Sequence, residues 1–261
     1  MQTNDGQLAE HVPGFRVFEL GRLKTGGCVS AVELTAGHFK AAFINYGARL
    51  LYLHMDDRRG EQGNISLRYD GVYGYEKDSA YIGATIGRVA NRISDAKFEI
   101  EGETFDLPVN EPQAGNHLHG GPKGLHTHLW QMRILRFNEG PNRIGVEFST
   151  EEADGAQGYP GRAVFKARYT LSATGELATE YITTCGQKTV SDLTNHAYWN
   201  LSSRATEGAT VKGHLLKMNA SQYLETNAKM IPTGELIDVG GTSLDFREVT
   251  SIEQHLDDMV S

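Results

Sequence analysis

Apolar and polar side chains alternate along the chain with a period of two, most clearly between residues 164 and 184. In VFKARYTLS, every second residue from Phe165 to Leu171 is apolar, and the residues between them are polar. This is the pattern of a β-strand with one buried face. The turn sequence SATGE follows, and LATEYITT returns, so we predict a β-hairpin over residues 164–184.

Two further segments show the same period on both sides of a turn. In KFEIEGETFDL, the apolar residues Phe98 and Ile100 are followed by a turn at Glu101-Gly102 and then by Phe105 and Leu107. In the other, LWQMRILRF is joined to RIGVEFST across the turn NEGPN. Short strands separated by glycine, asparagine or proline are typical of an all-β protein, and we predict a large antiparallel β-sandwich.

One helix is predicted near the end of the chain, within TSIEQHLDDM. Thr250 and Glu253 have the spacing of a capping box, and Ile252, Leu256 and Met259 recur at helical intervals. No linker, repeat or low-complexity segment interrupts the chain, so we expect residues 1–261 to form a single domain. Sandwich edges must be covered or charged, and no segment is evident that would close the last edge.

Composition and charge exclude several classes of function. The 261 residues carry a formal net charge of −8 with acidic and basic residues interspersed, which argues against a nucleic-acid or anionic-membrane partner. No stretch approaches the roughly 20 apolar residues that cross a bilayer, and the N-terminal sequence lacks the layout of a secretory signal. The two cysteines, Cys28 and Cys185, form no CxxC pair and indicate reduced thiols, so we expect a cytoplasmic protein.

The stretch GNHLHGGPKGLHTHLW, residues 115–130, contains a cluster of histidines: His117, His119, His126 and His128. A His-x-His pair on a strand could bind a metal ion, but metal sites of this kind in β-barrels need a carboxylate a few residues later. None follows before Glu139. We therefore interpret three of the four as ordinary loop residues. His119 differs because Gly120-Gly121 follows it, and an imidazole at such a turn suits proton transfer near neutral pH.

A second constellation is SDLTNHAYWNL, residues 191–201, where polar and aromatic side chains surround His196. Tyr198 and Trp199 offer flat apolar faces of the kind that pack on a sugar ring, and asparagines bind hydroxyls. The alternative is an aromatic strand with a buried, hydrogen-bonded histidine. In GRVANRISDAKF, residues 87–98, Arg88 and Arg92 are four residues apart, and this spacing alone predicts a surface ion pair.

GRVANRI, NHLHGG and LTNHAYWNL, in this order, resemble the galactose mutarotase (aldose 1-epimerase) family. Supporting pieces are GYPG at 158–161 and IPTGE with GTSLDFR within 231–247, and the resemblance covers roughly residues 15–258. It implies a galactose-mutarotase-type β-sandwich and an isomerase that interconverts the anomers of a free aldohexose such as galactose or glucose. It also implies that no metal and no cofactor is needed.

The resemblance carries roles over to individual residues. His196 matches the general acid that protonates the ring oxygen of the sugar, and His119 matches a second histidine that assists near that oxygen. Asn91 and Arg92 match positions that contact substrate, and Tyr198 is included among the substrate-binding candidates. Trp199 stands where many family members carry phenylalanine.

Family sequences continue beyond the segment that matches SIEQHLDDM. The continuation would hold a substrate-binding aspartate, a glutamine and the glutamate that acts as general base, and none of these can be placed here. We expect a truncated chain, with a naturally short relative as the alternative. Glu225, Glu235 and Asp245 are the carboxylates that such a relative offers, and none of them is favoured as the base.

One expectation about assembly and two alternative functions follow. A sandwich that is incomplete at its C-terminal end would expose apolar surface and favour homo-oligomers through an open sheet edge. A sugar-binding module without turnover is the alternative to an isomerase. A metal-dependent β-sandwich enzyme that uses the histidine cluster is a third hypothesis, which elemental analysis would test.

Overall fold

The computed structural model describes residues 12–137, 142–202 and 210–260. Almost all of its regular structure is β-sheet. In chain order the strands are β1 (Gly14–Arg22), β2 (Cys28–Ala36), β3 (Phe39–Ile44), β4 (Arg49–Asp56), β5 (Gln62–Asn64), β6 (Thr85–Ile86), β7 (Arg92–Ile93), β8 (Lys97–Ile100), β9 (Glu103–Asp106), β10 (His117–Leu118), β11 (Gln131–Arg136), β12 (Arg143–Glu152), β13 (Ala163–Ser172), β14 (Leu177–Cys185), β15 (Thr194–Asn195), β16 (Leu215–Leu216), β17 (Gln222–Thr226), β18 (Pro232–Asp238) and β19 (Thr250–Ser251). The helices are α1 (Val72–Glu76) and α2 (Glu253–Val260).

Two antiparallel sheets form the main body of the fold. The first has the order β1-β2-β3-β4-β5 and the second the order β11-β12-β13-β14. Their inner faces contribute a shared apolar core, in which Leu34, Phe148 and Phe165 are fully buried. The rings of Phe43 and Tyr169 stack across the two sheets with centroids 4.2 Å apart. The prediction of an all-β antiparallel sandwich is therefore confirmed.

The three predicted hairpins form as their alternation requires. In β13–β14, Phe165 lies opposite Thr183, and burial alternates along most of β13. In β8–β9, Phe98 lies opposite Phe105, and the connecting residues Glu101 and Gly102 both have positive φ, 54° and 85°. Strands β11 and β12 also pair antiparallel, and the predicted turn between them lies largely in residues 138–141, outside the described residues.

The predicted terminal helix is present as α2, but the predicted cap is wrong. Thr250 belongs to β19, and its hydroxyl donates to the carbonyl oxygen of Glu248 at 3.0 Å. The hydroxyl of Ser251 instead accepts a hydrogen bond from the N–H of Glu253 at 3.3 Å. The strand pairing of β19 with β16 moves the helix start beyond the position that the capping box indicated.

Two short strand pairs, separate from the large sheets, position the candidate site. Strand β7 pairs with β10, and β6 pairs with β15. These pairs bring together segments that lie far apart in the sequence. Neither helix in the described part of the chain has the length and apolarity needed to cross a membrane.

Candidate active site

His119 is held in place by the pairing of β7 with β10. It follows β10 directly and has a left-handed backbone, with φ of 54°. Its N–H donates to the carbonyl oxygen of Asn91 at 2.9 Å. The next residue must be glycine, because a Cβ on Gly120 would lie 1.7 Å from the carbonyl oxygen of Gly87. The Gly-Gly sequence thus lets the chain turn closely against the segment that carries Arg88.

His196 is fixed by backbone pairing between β6 and β15. Its N–H donates to the carbonyl oxygen of Ala84 at 2.8 Å, and its own carbonyl oxygen accepts from the N–H of Gly83 at 2.9 Å. The imidazoles of His196 and His119 meet edge to face, with ring centroids 5.3 Å apart and an interplanar angle of 89°. The structure therefore brings together the two histidines that the sequence analysis selected.

The neutral form of His119 has a defined tautomer. Its Nδ1 accepts a hydrogen bond from the backbone N–H of Asn91 at 3.0 Å, so the proton of the neutral ring is on Nε2. Burial lowers the pKa of His119 to about 4, with further lowering from the neighbouring His196 and Arg92 and a smaller opposing effect of Glu111. At neutral pH the ring is thus an uncharged donor through Nε2–H.

Arg92 is a fixed cation at the rim of the site. Its Nε and Nη2 donate to both carboxylate oxygens of Glu111 at 2.8–3.1 Å, and its Nη1 donates to the side-chain oxygen of Asn91 at 3.0 Å. Hydrogen bonds from Arg92 and Asn116 lower the pKa of Glu111, and the carboxylate raises the pKa of Arg92. A carboxylate held in a bidentate pair keeps the guanidinium in one orientation.

Tyr198 lies beside His196, with ring centroids 5.1 Å apart, and its side chain is exposed. Trp199 is also exposed, at 46%, but it lines a different cavity together with Ala197 and Asn195. Alternation along this extended segment sends His196 and Tyr198 to one face and the odd-numbered residues to the other. Neither His119 nor His196 lines that apolar cavity, which has a volume of about 450 Å³.

Two residues of the site were not found from the sequence, Tyr81 and Glu111. The ring of Tyr81 lies 4.7 Å from that of His119 and 5.9 Å from that of His196. Tyr81 and Glu111 stand in segments without a spacing pattern of their own. The only local signal is the short distance in sequence between Glu111 and the histidine cluster.

Two of the other three histidines of the cluster are buried, so the interpretation as ordinary loop residues is wrong for His117 and His126. His117 is fully buried in β10, and its Nδ1 donates to the carbonyl oxygen of Pro108 at 2.8 Å. His126 is buried against the ring of Tyr81, with centroids 4.9 Å apart. His128 is half-buried, with its Nδ1 3.2 Å from the hydroxyl of Thr150.

Arg88 is a buried structural residue and not part of a surface ion pair. Its guanidinium lies 3.1 Å from Glu152 and donates to the carbonyl oxygen of Pro160 at 2.8 Å, with no side-chain exposure. Within residues 12–137, 142–202 and 210–260, no group of three or more His, Cys, Asp or Glu side chains is arranged to hold a metal ion.

Two of the three carboxylates considered from the sequence have partners elsewhere in the chain. Glu225 accepts a hydrogen bond from the hydroxyl of Thr233 at 2.8 Å. Asp245 pairs with Arg247 at 2.7 Å, which lowers the pKa of Asp245 to about 2. Glu235 is exposed on β18. Glu111, which is not one of these three, is the carboxylate that pairs with Arg92 of the candidate site, at 2.8 Å.

Comparison with known proteins gives a consistent result. A sequence model described as aldose 1-epimerase matches residues 30–260. The chain is 35% identical over 233 residues to the galactose mutarotase of Homo sapiens. The aligned region covers 89% of this chain and 65% of that protein. It is 38% identical over 183 residues to the aldose 1-epimerase of Haemophilus influenzae, and the aligned region covers 70% of this chain and 51% of that protein.

Solved structures agree with the sequence comparison. The crystal structure of galactose 1-epimerase from Lactobacillus acidophilus superimposes with a TM-score of 0.80 at 26% identity, covering 94% of this chain and 68% of that one. The aldose epimerase homologue from C. elegans gives a TM-score of 0.72 at 31% identity. The chain thus spans about two thirds or less of the length of these relatives.

Proposed function

Since the chain belongs to the aldose 1-epimerase family, we propose that it interconverts the α- and β-anomers of a free aldohexose, galactose or glucose. The observation that carries the proposal is the edge-to-face pair of His119 and His196, with ring centroids 5.3 Å apart and Arg92 beside them. Relatives named galactose mutarotase and aldose 1-epimerase support the substrate class.

The reaction needs one group that protonates the ring oxygen and one that removes the proton of the anomeric hydroxyl. The sugar ring opens, the aldehyde turns about the C1–C2 bond, and the ring closes on the other face with the proton transfers reversed. We assign the general acid to His196. His119, which is neutral with its proton on Nε2, donates a hydrogen bond near the ring oxygen. No residue of this chain is assigned as the base.

Substrate contacts are assigned to Asn91, Arg92 and Tyr198. The guanidinium of Arg92 is held by Glu111, so it presents its remaining N–H groups to hydroxyls in a fixed direction. The side chain of Asn91 is exposed beside it, and the exposed ring of Tyr198 offers an apolar face for the C–H side of a sugar. All of this chemistry uses side chains alone, and we propose that no metal or cofactor takes part.

The pKa of His119 leads to a prediction about pH dependence. With a value of about 4 in the folded chain, against 6.5 for the unperturbed side chain, His119 stays neutral throughout the range from pH 5.5 to 8. The unfolded chain takes up this proton first as the pH falls through 6.5. Stability is therefore highest above that value and decreases toward pH 4. Burial lowers the pKa of His126 in the same direction, to about 3.

Histidine titration by NMR measures this directly. In a chain labelled with ¹³C-histidine, we expect the His119 resonance, identified by its loss in His119→Asn, to titrate near pH 4. A midpoint at or above 6 would contradict the assignment of His119 as a neutral donor.

We also propose that the chain is a single domain that pairs with a second copy through β14. Within the described residues β14 pairs as a strand with β13 alone, so its other edge offers unpaired backbone groups. Leu177 and Thr179 of β14 line the apolar cavity of about 450 Å³. If two β14 strands pair antiparallel about a two-fold axis, the unpaired backbone groups of each strand gain hydrogen-bond partners on the other, and both copies use the same surface.

Light scattering after size exclusion tests the pairing. The unaltered chain is expected to elute as a dimer, and Thr179→Lys as a monomer, because a charged side chain on an edge strand opposes pairing. Thr104→Lys, on the exposed hairpin strand β9, adds the same charge elsewhere and should leave the dimer intact. A monomer for the unaltered chain at every concentration would contradict the proposal.

For localisation we propose the cytoplasm. Both cysteines in the described residues are free, as expected of a protein in a reducing compartment. Fractionation of the source cells, with the thiols trapped during lysis, would reject this proposal if the protein appeared outside the cytoplasm or with Cys28 and Cys185 oxidised.

A further inference from the structure

We propose that Tyr81 is a positioning residue of the candidate site. Its ring holds the imidazoles of His119 and His196 in their edge-to-face arrangement, and the buried ion pair of Arg49 and Asp78 fixes the turn that carries it. The effect on catalysis rests on the proposed function, whereas the effect on the two imidazoles does not.

Three imidazoles surround the ring of Tyr81. His119 meets it at 4.7 Å with an interplanar angle of 70°, and His126 meets it at 4.9 Å with an angle of 74°. His196 lies at 5.9 Å with an angle of 33°. Aromatic pairs at these separations prefer such tilted and edge-to-face geometries. Because the tyrosine ring touches the two site histidines and the buried His126, it links the site to the interior.

The backbone of Tyr81 adopts a conformation that needs support. Its φ of 57° lies in the left-handed region, which is unfavourable for a bulky side chain. Hydrogen bonds hold the residues on both sides: the N–H of Ala80 donates to Asp78 at 3.0 Å, and the carbonyl oxygen of Ile82 accepts from Arg49 at 2.9 Å. The carbonyl oxygen of Tyr81 itself accepts from the N–H of Ala84 at 3.0 Å.

The two groups that support this turn form a buried ion pair. Nη1 of Arg49 lies 2.5 Å from Oδ2 of Asp78, and the side chains are only 1% and 0% exposed. Tyr69 donates its hydroxyl to the other oxygen of Asp78 at 3.1 Å. Nη2 of Arg49 also donates to the carbonyl oxygen of His126 at 3.3 Å. One guanidinium thus ties the turn of Tyr81 to the backbone of a residue against which the tyrosine ring packs.

The ring of Tyr81 also keeps water from one side of His119. The charged and titratable groups that face His119 are Arg92, Glu111, His196 and His126, and burial is the largest single cause of its lowered pKa. Removing the ring would hydrate His119 and release both imidazoles to reorient. Misplacement of a reacting group by about 1 Å can cost roughly 10²-fold in rate.

The test compares Tyr81→Ala with Tyr81→Phe in the 261-residue chain, with Tyr73→Ala as the matched control. Tyr73 is 58% exposed on α1 and has no contact with the site histidines in the described structure. Imidazole titration by ¹³C-histidine NMR is the first measurement. We expect the midpoint of His119 to rise from about 4 toward 6.5 in Tyr81→Ala and to stay near 4 in the other two variants.

Polarimetry is the second measurement. We expect kcat to fall about 10²-fold in Tyr81→Ala, and Tyr81→Phe to restore most of it because the ring and not the hydroxyl is needed. An unchanged His119 midpoint in Tyr81→Ala overturns the proposal, and so does a shift in Tyr81→Phe as large as that in Tyr81→Ala. If Tyr81→Ala fails to fold, Tyr81→Leu gives the same comparison with less loss of volume.

The two measurements separate this proposal from the proposed function. A shifted midpoint in Tyr81→Ala, together with no anomer interconversion by the unaltered chain, would reject the enzymatic activity and retain Tyr81 as the positioning residue. The opposite result, an active chain whose His119 midpoint does not respond to Tyr81, would reject the positioning role alone.

Discussion

Replacing His196 by alanine is expected to reduce anomer interconversion to the spontaneous rate. A positioned acid or base contributes about 10²–10⁴-fold to such a reaction, and His196 is the group assigned to protonate the ring oxygen. The variant removes the imidazole without touching the backbone bonds that His196 makes to Ala84 and Gly83. Polarimetry of freshly dissolved α-galactose or α-glucose measures the acceleration.

The control for this variant is another histidine. His54 lies in β4, where its ring is 4.7 Å from that of Tyr52, and it makes no ring contact with the site histidines in the described structure. His54→Ala should therefore keep the rate of the unaltered chain. If His196→Ala also kept that rate, the role of His196 as general acid would be refuted. Titration calorimetry on His196→Ala separates lost turnover from lost sugar binding.

Replacing Asp78 by alanine is expected to cost about 3–5 kcal/mol in the free energy of unfolding. The substitution leaves the guanidinium of Arg49 buried without its counter-charge and removes acceptors for Tyr69 and Ala80. A buried charge that has lost its partner is destabilising even where the intact pair contributes little net stability. Urea denaturation followed by circular dichroism measures this loss of free energy. In the same experiment, a single unfolding transition of the unaltered chain would support the proposal that it is a single domain.

An exposed ion pair provides the comparison. Asp106 pairs with Lys97 at 3.1 Å across the β8–β9 hairpin, and the two side chains are 75% and 60% exposed. Asp106→Ala should change the free energy of unfolding by no more than about 1 kcal/mol, because exposed pairs are screened by solvent. Equal losses for Asp78→Ala and Asp106→Ala would show that the Arg49–Asp78 pair is not the anchor inferred from its burial.

The sequence predicted those parts of the fold that depend on neighbouring residues. Strands β13 and β14 follow the alternation that begins at Phe165, since side chains two apart share a face of the sheet. The turn at Glu101-Gly102 was predicted from the same alternation in the segments on both sides of it. In the structure both residues have positive φ, which suits a tight hairpin. The cap of α2 was missed because β19 takes Thr250 into a strand pair with a distant segment.

Within the candidate site, sequence motifs selected His119, His196, Asn91, Arg92 and Tyr198. Their selection depended on the resemblance to a family, since local spacing left a buried aromatic strand and a surface ion pair as alternatives. The pairings of β7 with β10 and of β6 with β15 are what bring the two imidazoles together. That proximity is long-range, and no local pattern encodes it.

By itself, then, the sequence determined the three hairpins and the presence of the terminal helix, because these follow from side-chain period and local spacing, and its motifs selected the two site histidines. Only the tertiary structure decided which polar residues are buried and what they contact. The spacing of Arg88 and Arg92 in the sequence does not distinguish them. In the structure Arg88 lies in the interior against Glu152, whereas Arg92 lies at the rim of the site against Glu111. Tyr81 joins the site through packing alone, and packing depends on the whole chain.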